Sequence, residues 1–182
     1  MNVAKIYYAD IANGVGCRTS FFVSGCTHHC KDCFNEVAWD FNYGEPFTEK
    51  IADTVIESLK EDYCDGLSLL GGEPMEVVNQ KELRPFVERV KREVPKATIW
   101  CYSGYTFEEL MDPENKRCHS EDTLPMLKNI DVLVDGEFVA AKKDITLEFR
   151  GSSNQRIIDV QKTLESGSIV LTKYMRDRIR TD

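Results

Sequence analysis

The sequence predicts an α/β protein, a partial, open β/α barrel with a mainly parallel sheet. Short apolar runs of strand length alternate with longer stretches whose apolar residues recur at helical spacing. Several of those runs stop abruptly in small-residue turns, Gly71-Gly72, Ser103-Gly104 and Asp135-Gly136. Only about four or five parallel strands can be read, too few to close an eight-stranded barrel.

Val3 to Ile11 reads as a strand running into the turn Asn13-Gly14-Val15-Gly16, whose residues tolerate positive φ. A hairpin partner follows from Arg18 to Ser24 with Phe21, Phe22 and Val23, and it delivers the loop Gly25 to Asn35. Beyond Gly44 and Pro46, Thr48 is placed to cap a helix on which Ile51, Ala52, Val55, Ile56 and Leu59 form one stripe. Gly66 to Leu70 reads as a buried strand ending in Gly71-Gly72-Glu73-Pro74. A second helical stripe holds Leu83, Phe86, Val87, Val90 and Val94, with Asn79 to Glu82 as its capping start and Pro85 as a kink or a later beginning.

Lys96 to Tyr102 is the next strand, and Thr106-Phe107-Glu108-Glu109 forms a capping box opening a short helix. Asp112 to Asp122 is irregular, Leu124, Leu127 and Ile130 suggest a brief helix, and Asp131 to Val134 is a strand. A further strand is expected from Ile145 to Phe149, then the turn Arg150 to Arg156, a strand from Ile157 to Val160 and a basic tail. Parallel βαβ units put all strand C-termini on one face. The cysteine loop, Gly71 to Pro74, Ser103-Gly104 and Asp135-Gly136 should therefore converge at one mouth, where such folds place their sites.

A chain of 182 residues is expected to form a single domain, residues 1–182, with enough interior to need no disulfides. It is 42% hydrophobic and 30% charged. No apolar run approaches the roughly 18 to 20 residues that span a bilayer, and Met1 to Lys5 lacks the apolar core of a signal peptide, so a cytoplasmic protein is expected. The net charge of −8, from 31 acidic and 23 basic side chains, disfavours nonspecific nucleic-acid or anionic-membrane binding. Of seven cysteines, three are clustered and Cys17, Cys64, Cys101 and Cys118 are scattered, a pattern of thiol or metal chemistry rather than a disulfide scaffold.

Cys26, Cys30 and Cys33, spaced C-x3-C-x2-C, are the metal-ligand candidates. Three thiolates on one loop can hold three irons of a cubane cluster and leave its fourth corner open. A zinc site is the alternative, but zinc takes four protein ligands, commonly as two separated pairs, and His28 or His29 would have to fold back within the same tight loop. Ferredoxin clusters use four cysteines. His28 and His29 are expected as exposed loop side chains, and the scattered cysteines as small buried hydrophobes. Arg150 and Arg156 frame a polar turn that reads equally as a partner-docking or site-sealing element and as a solvated loop, and Lys173, Arg176, Arg178 and Arg180 read as a solvated helical face.

The triplet Cys26, Cys30, Cys33 together with Gly71-Gly72-Glu73-Pro74 resembles the radical S-adenosylmethionine (SAM) enzymes. Asn13-Gly14, Phe22 to Cys26, Trp100 to Tyr105, Val132 to Gly136 and Phe149 to Arg156 narrow this. Together they resemble, over nearly the whole chain, the family of proteins that activate anaerobic (class III) ribonucleotide reductase. The resemblance implies a radical SAM-type fold, one [4Fe-4S] cluster on the three cysteines, and SAM chelating the open iron. It also implies a 5′-deoxyadenosyl radical that takes hydrogen from a glycine of the large reductase subunit, leaving a glycyl radical. Reduced flavodoxin or a similar donor would supply the electron. Asp32 stands where the superfamily usually has an aromatic residue, and Phe34 on the other side of Cys33 offers an apolar face to the adenine. Asp32, Phe34, Gly71, Gly72, Glu73, Pro74, Ser103 and Asp135 are the expected SAM contacts, although Ser103 and Asp135 read equally as turn residues. A pyruvate formate-lyase activase, a small-molecule radical SAM enzyme and a noncatalytic electron carrier or zinc module are the rivals.

Overall fold

A computed structural model describes residues 1–175 of the chain. Seven strands form one sheet in the order β3-β1-β2-β4-β5-β6-β7. They are β1 (Asn2–Asp10), β2 (Arg18–Val23), β3 (Glu45–Pro46), β4 (Gly66–Gly71), β5 (Thr98–Tyr102), β6 (Val132–Asp135) and β7 (Arg156–Asp159). The sheet is parallel in its middle, from β2 through β4 and β5 to β6. At both ends it is antiparallel, β1 on β2, β3 on β1 and β7 on β6. It does not close: β3 and β7 are its terminal strands, and among the described residues β7 carries on its outer side only an isolated bridge, Ile158 to Leu171. The open β/α sheet is therefore present, but a barrel is not, and the parallel pairing is confined to four strands. The reason is local: a parallel return requires a crossover, whereas β1–β2 is a hairpin and no α-helix intervenes between β6 and β7.

Among the described residues five α-helices accompany the sheet: α1 (Glu49–Lys60), α2 (Val77–Glu93), α3 (Phe107–Met111), α4 (Thr123–Leu127) and α5 (Val160–Ser166). Thr48 Oγ1 accepts from Ile51 N at the start of α1, and Ala52, Val55, Ile56 and Leu59 are buried, as the stripe requires. Alternation along the strands divides the side chains between two faces. Phe21 and Val23, Leu67 and Leu69, Ile99 and Cys101, and Leu133 join the core that also contains residues of α1 and α2. Trp100, Val134 and Ile157 form a second cluster, against which Val15, Tyr102, Phe149 and Tyr174 pack. Every residue of β2 is buried, its polar half included: Arg18 donates to Ser68 Oγ and to the carbonyls of Leu67 and Thr98, and Ser20 Oγ donates to Asp10.

Several expectations are corrected. Helix α2 starts at Val77 and carries Pro85 inside it. Asn79 and Gln80, which looked like a cap, are buried one turn in and donate to carbonyls of Ser24, Glu73, Met75 and Cys118. Ile145 to Phe149 is turn and isolated bridge rather than strand, with Phe149 at φ 54°. The strand expected from Ile157 to Val160 stops at Asp159, whose carboxylate accepts from Lys162 N and opens α5. Lys173 lies in a turn with its ammonium over the Tyr174 ring, and Arg176, Arg178 and Arg180 fall outside the described residues.

Candidate iron–sulfur and ligand site

The loop from Ser24 to Asn35 leaves the end of β2, a strand central to the sheet. It is wound by three positive-φ residues, Gly25 at 95°, His29 at 52° and Asp32 at 60°. Aspartate and histidine are among the few side-chain types that enter the left-handed region readily. That conformation gives Asp32 a backbone reason for its place before Cys33. At Gly25 a Cβ would stand 2.1 Å from the Phe41 ring, so the loop needs glycine on both counts. The following turn folds back on the loop, Gly25 N donating to Ala38 O at 2.8 Å and Cys26 N to Trp39 O at 3.2 Å. His29 is exposed and stacks on Trp39 at 4.7 Å.

Gly71 to Glu76 ties this loop to the rest of the site. Gly72 N donates to Val23 O and Glu73 N to Gly25 O, at 2.7 and 2.8 Å. A Cβ on Gly72 would stand 2.5 Å from Gly25 O and 2.7 Å from Ala38 O. The buried Glu73 carboxylate accepts from Met75 N on one oxygen and from Gly104 N on the other, linking the β4 turn to the β5 turn. Glu76 Oε1 takes Thr27 N and Thr27 Oγ1, and Arg117 reaches the same hydroxyl from the far side.

The strand-end turns enclose a cavity of about 480 Å³, within the usual size range of small-molecule sites. Cys26, Cys30, Cys33, Asp32, Phe34, Gly71, Gly72, Glu73 and Ser103 all line it, with Gly104 and Gly136 beside them. Pro74 and Asp135 do not. Pro74 is buried behind the turn. Asp135 shares the core-facing side of β6 with Leu133, and its carboxylate accepts from Phe107 N at 2.8 Å and from Arg156 at 2.5 Å. Arg156 also grips Glu108 at 2.6 Å, so neither it nor Asp135 belongs to the cavity wall. The Ser103 hydroxyl accepts from Tyr105 N at 3.1 Å and serves its turn as well.

Phe138, Leu147 and the Tyr102 hydroxyl went unread as lining groups, whereas of the two arginines framing the polar turn Arg150 lines the cavity and Arg156 does not. The long connection between β6 and β7 supplies one wall through Phe138, Leu147, Phe149, Arg150 and Gln155, and the Tyr102 hydroxyl is buried there without a hydrogen-bond partner. His28, expected in solvent, has a side chain only 5% exposed and lines the cavity beside Glu73. Cys64, Cys101 and Cys118 are buried as expected, but Cys17 is only half-buried.

The family model described as a 4Fe-4S single cluster domain matches residues 12–158, a span that holds the cysteine loop and every strand-end turn of the cavity. The chain is 42% identical over 159 residues to the anaerobic ribonucleoside-triphosphate reductase-activating protein of Haemophilus influenzae, covering 86% of this chain and 97% of that one. It is 39% identical over 157 residues to the protein of that name from Escherichia coli K12, covering 85% and 96%, and 36% identical over 159 residues to that of Enterobacteria phage T4, covering 86% and 93%. The chain belongs to this family of activating proteins.

The donor set fits the iron–sulfur group that the family model names. All seven cysteines are free, and three present soft sulfur donors at the cavity wall. Burial pushes the Cys26 thiol up to about 12, with Glu73 adding to it, and burial with the Glu137 carboxylate pushes Cys30 up to about 11. Without metal these groups are protonated thiols at neutral pH, so iron must displace their protons to bind. At His28, burial works against the charged form, but Glu73 outweighs it and the imidazole titrates above its ordinary value.

Proposed function

We propose that the chain activates an anaerobic ribonucleoside-triphosphate reductase as a radical SAM enzyme, with the large subunit of that reductase as its protein substrate. A [4Fe-4S] cluster bound there would supply the electron that cleaves SAM reductively, giving methionine and a 5′-deoxyadenosyl radical that takes hydrogen from a reductase glycine. The observation that carries this reading is the shared cavity: three thiols of one loop face the Gly71-Gly72-Glu73 turn of the neighbouring strand across about 480 Å³.

Cys26, Cys30 and Cys33 would hold three of the four irons. Gly71 and Gly72 bring backbone to the cavity wall with no side chain in between. Glu73 and Glu76 fix the relative position of the β4 turn, the β5 turn and the cysteine loop through hydrogen bonds to Gly104 and Thr27. Such fixing places a bound reactant without rearrangement during the reaction. Asp32 and Phe34 flank Cys33 at the cavity edge, Phe34 being 83% exposed, where its ring can cover an adenine or meet the reductase. The reductant would be a reduced flavodoxin or a similar one-electron donor.

Residues 1–182 would act as one domain in a reducing, cytoplasmic setting, to which free cysteines are suited. Among the described residues no helix is long and apolar enough to cross a membrane. Anaerobic cluster reconstitution, followed by dithionite and SAM, should yield methionine and 5′-deoxyadenosine. Adding the reductase large subunit should then give a glycyl radical by electron paramagnetic resonance. Stoichiometric zinc with no cleavage would sink the enzyme reading, and a radical formed only on pyruvate formate-lyase would reassign the partner.

A further inference from the structure

The imidazole of His28 is buried at the cavity wall with neither ring nitrogen hydrogen-bonded. Its side chain is 5% exposed although Thr27 and His29 on either side are exposed residues. Glu73 Oε2 lies 3.4 Å from Nε2 and Glu137 Oε2 lies 3.9 Å from Nδ1, close enough for charge attraction but outside hydrogen-bond geometry. Buried polar groups are nearly always paired, and one left open at a cavity wall is poised for a ligand.

The ring is also held in place. Its face packs on Tyr105 at 4.2 Å, and a Cβ on Gly104 would stand 2.6 Å from Nε2, so the missing side chain at 104 makes the seat.

We infer that His28 is a ligand-contacting residue whose imidazole hydrogen-bonds the α-amino-acid head of SAM. The inference rests on the reading of the cavity as a SAM site. An imidazole offers one donor and one acceptor when neutral, and an α-amino-acid head carries a complementary pair, amino N–H and carboxylate oxygen, on one carbon. The Glu73 and Glu137 carboxylates beside the ring can accept from the amino N–H groups, and the ring N–H gives the carboxylate a donor on the cysteine-loop side of the cavity, whose cationic lining residues Lys143 and Arg150 come from the β6–β7 connection. The position between Cys26 and Cys30 puts this contact next to the iron corners those cysteines would hold.

The test is ligand binding by reconstituted native chain, His28→Phe and His28→Gln, with iron and sulfide per chain and the thermal melt recorded for each. SAM is compared with 5′-methylthioadenosine, which lacks the amino-acid head, by calorimetry. His28→Phe should keep its iron and bind SAM about tenfold more weakly, the scale of one hydrogen bond to a charged group, with methylthioadenosine binding unchanged. His28→Gln, which restores a donor and an acceptor, should recover part of the loss. Native SAM affinity in His28→Phe, an equal weakening of both ligands, or loss of iron would each overturn the inference. A native chain that takes up iron but binds no SAM would instead sink the underlying SAM reading.

Discussion

A single carboxylate oxygen, Glu76 Oε1, accepts both the backbone N–H of Thr27 at 2.8 Å and its hydroxyl at 2.6 Å. The residue that precedes α2 thereby holds the cysteine loop, and the carboxylate is itself buried and further engaged by Tyr105 at 3.3 Å. Glu76→Ala should lower stability by about 2 kcal/mol, because Thr27 N loses its partner. It should also speed loss of iron from the reconstituted chain severalfold, with Thr27→Val giving a smaller effect. Urea melts and iron retained after desalting would check both, and native iron retention in Glu76→Ala would show that the loop is ordered by other contacts.

Gly72 sits where a methyl group would overlap two backbone carbonyls, those of Gly25 and Ala38. Backbone cannot yield as a side chain tip can, so Gly72→Ala should destabilise by about 2 to 3 kcal/mol. The same displacement would push the β4 turn off the cysteine loop and weaken SAM binding. A variant that melts and binds SAM like the native chain would contradict this geometry.

Asp135 is held inside the protein by Arg156 and Phe107 N. Arg156→Met removes the charge that compensates it and should cost about 3 kcal/mol, as breaking a buried pair does. The Glu108 carboxyl is held below its ordinary value, first by its hydrogen bond with Arg156. Its contribution is thus present above the ordinary carboxylate range and lost as pH falls through the lowered folded value. In Arg156→Met that part of the acid limb of the stability–pH curve should flatten, which chemical denaturation across pH 2 to 7 would reveal.

Cys30→Ala should abolish SAM cleavage by removing one of three thiolates. Cys118→Ala should leave it largely intact, since that thiol is buried and directed to Glu109 O at 3.3 Å. Its cost is expected to be about 1 kcal/mol in thermal unfolding. Loss of iron from Cys118→Ala would overturn the assignment of ligands to the loop alone.

The cavity's main walls were legible because each ends an apolar strand in small residues, and parallel strands deliver such ends to one face. The orientation of Asp135 was in principle readable too: it shares parity with Leu133, so it points to the core side while the backbone at Gly136 meets the cavity. Other features depend on partners far along the chain. Burial of His28 requires the empty space at Gly104, and Asn79 and Gln80 mimic a cap only until their distant carbonyl partners are known. Pro85 is tolerated within α2 because it lies on the exposed side, where the Lys81 carbonyl it leaves unpaired belongs to an exposed residue that water can reach. In the β6–β7 connection the alternation of Ile145, Leu147 and Phe149 suggests a strand, yet the segment is turn and bridge and puts those side chains on the cavity wall, a role that the period alone does not reveal.

The aromatic group of Trp100, Phe149 and Tyr174, with ring centroids 5.3 to 6.3 Å apart, packs on the same face of the sheet as Tyr102, and both Phe149 and Tyr102 line the cavity. One wall of the site is thus also the outer layer of a packed aromatic cluster. A substitution at Trp100 or Tyr174, neither of which needs to touch a bound molecule, would reshape that wall through Phe149.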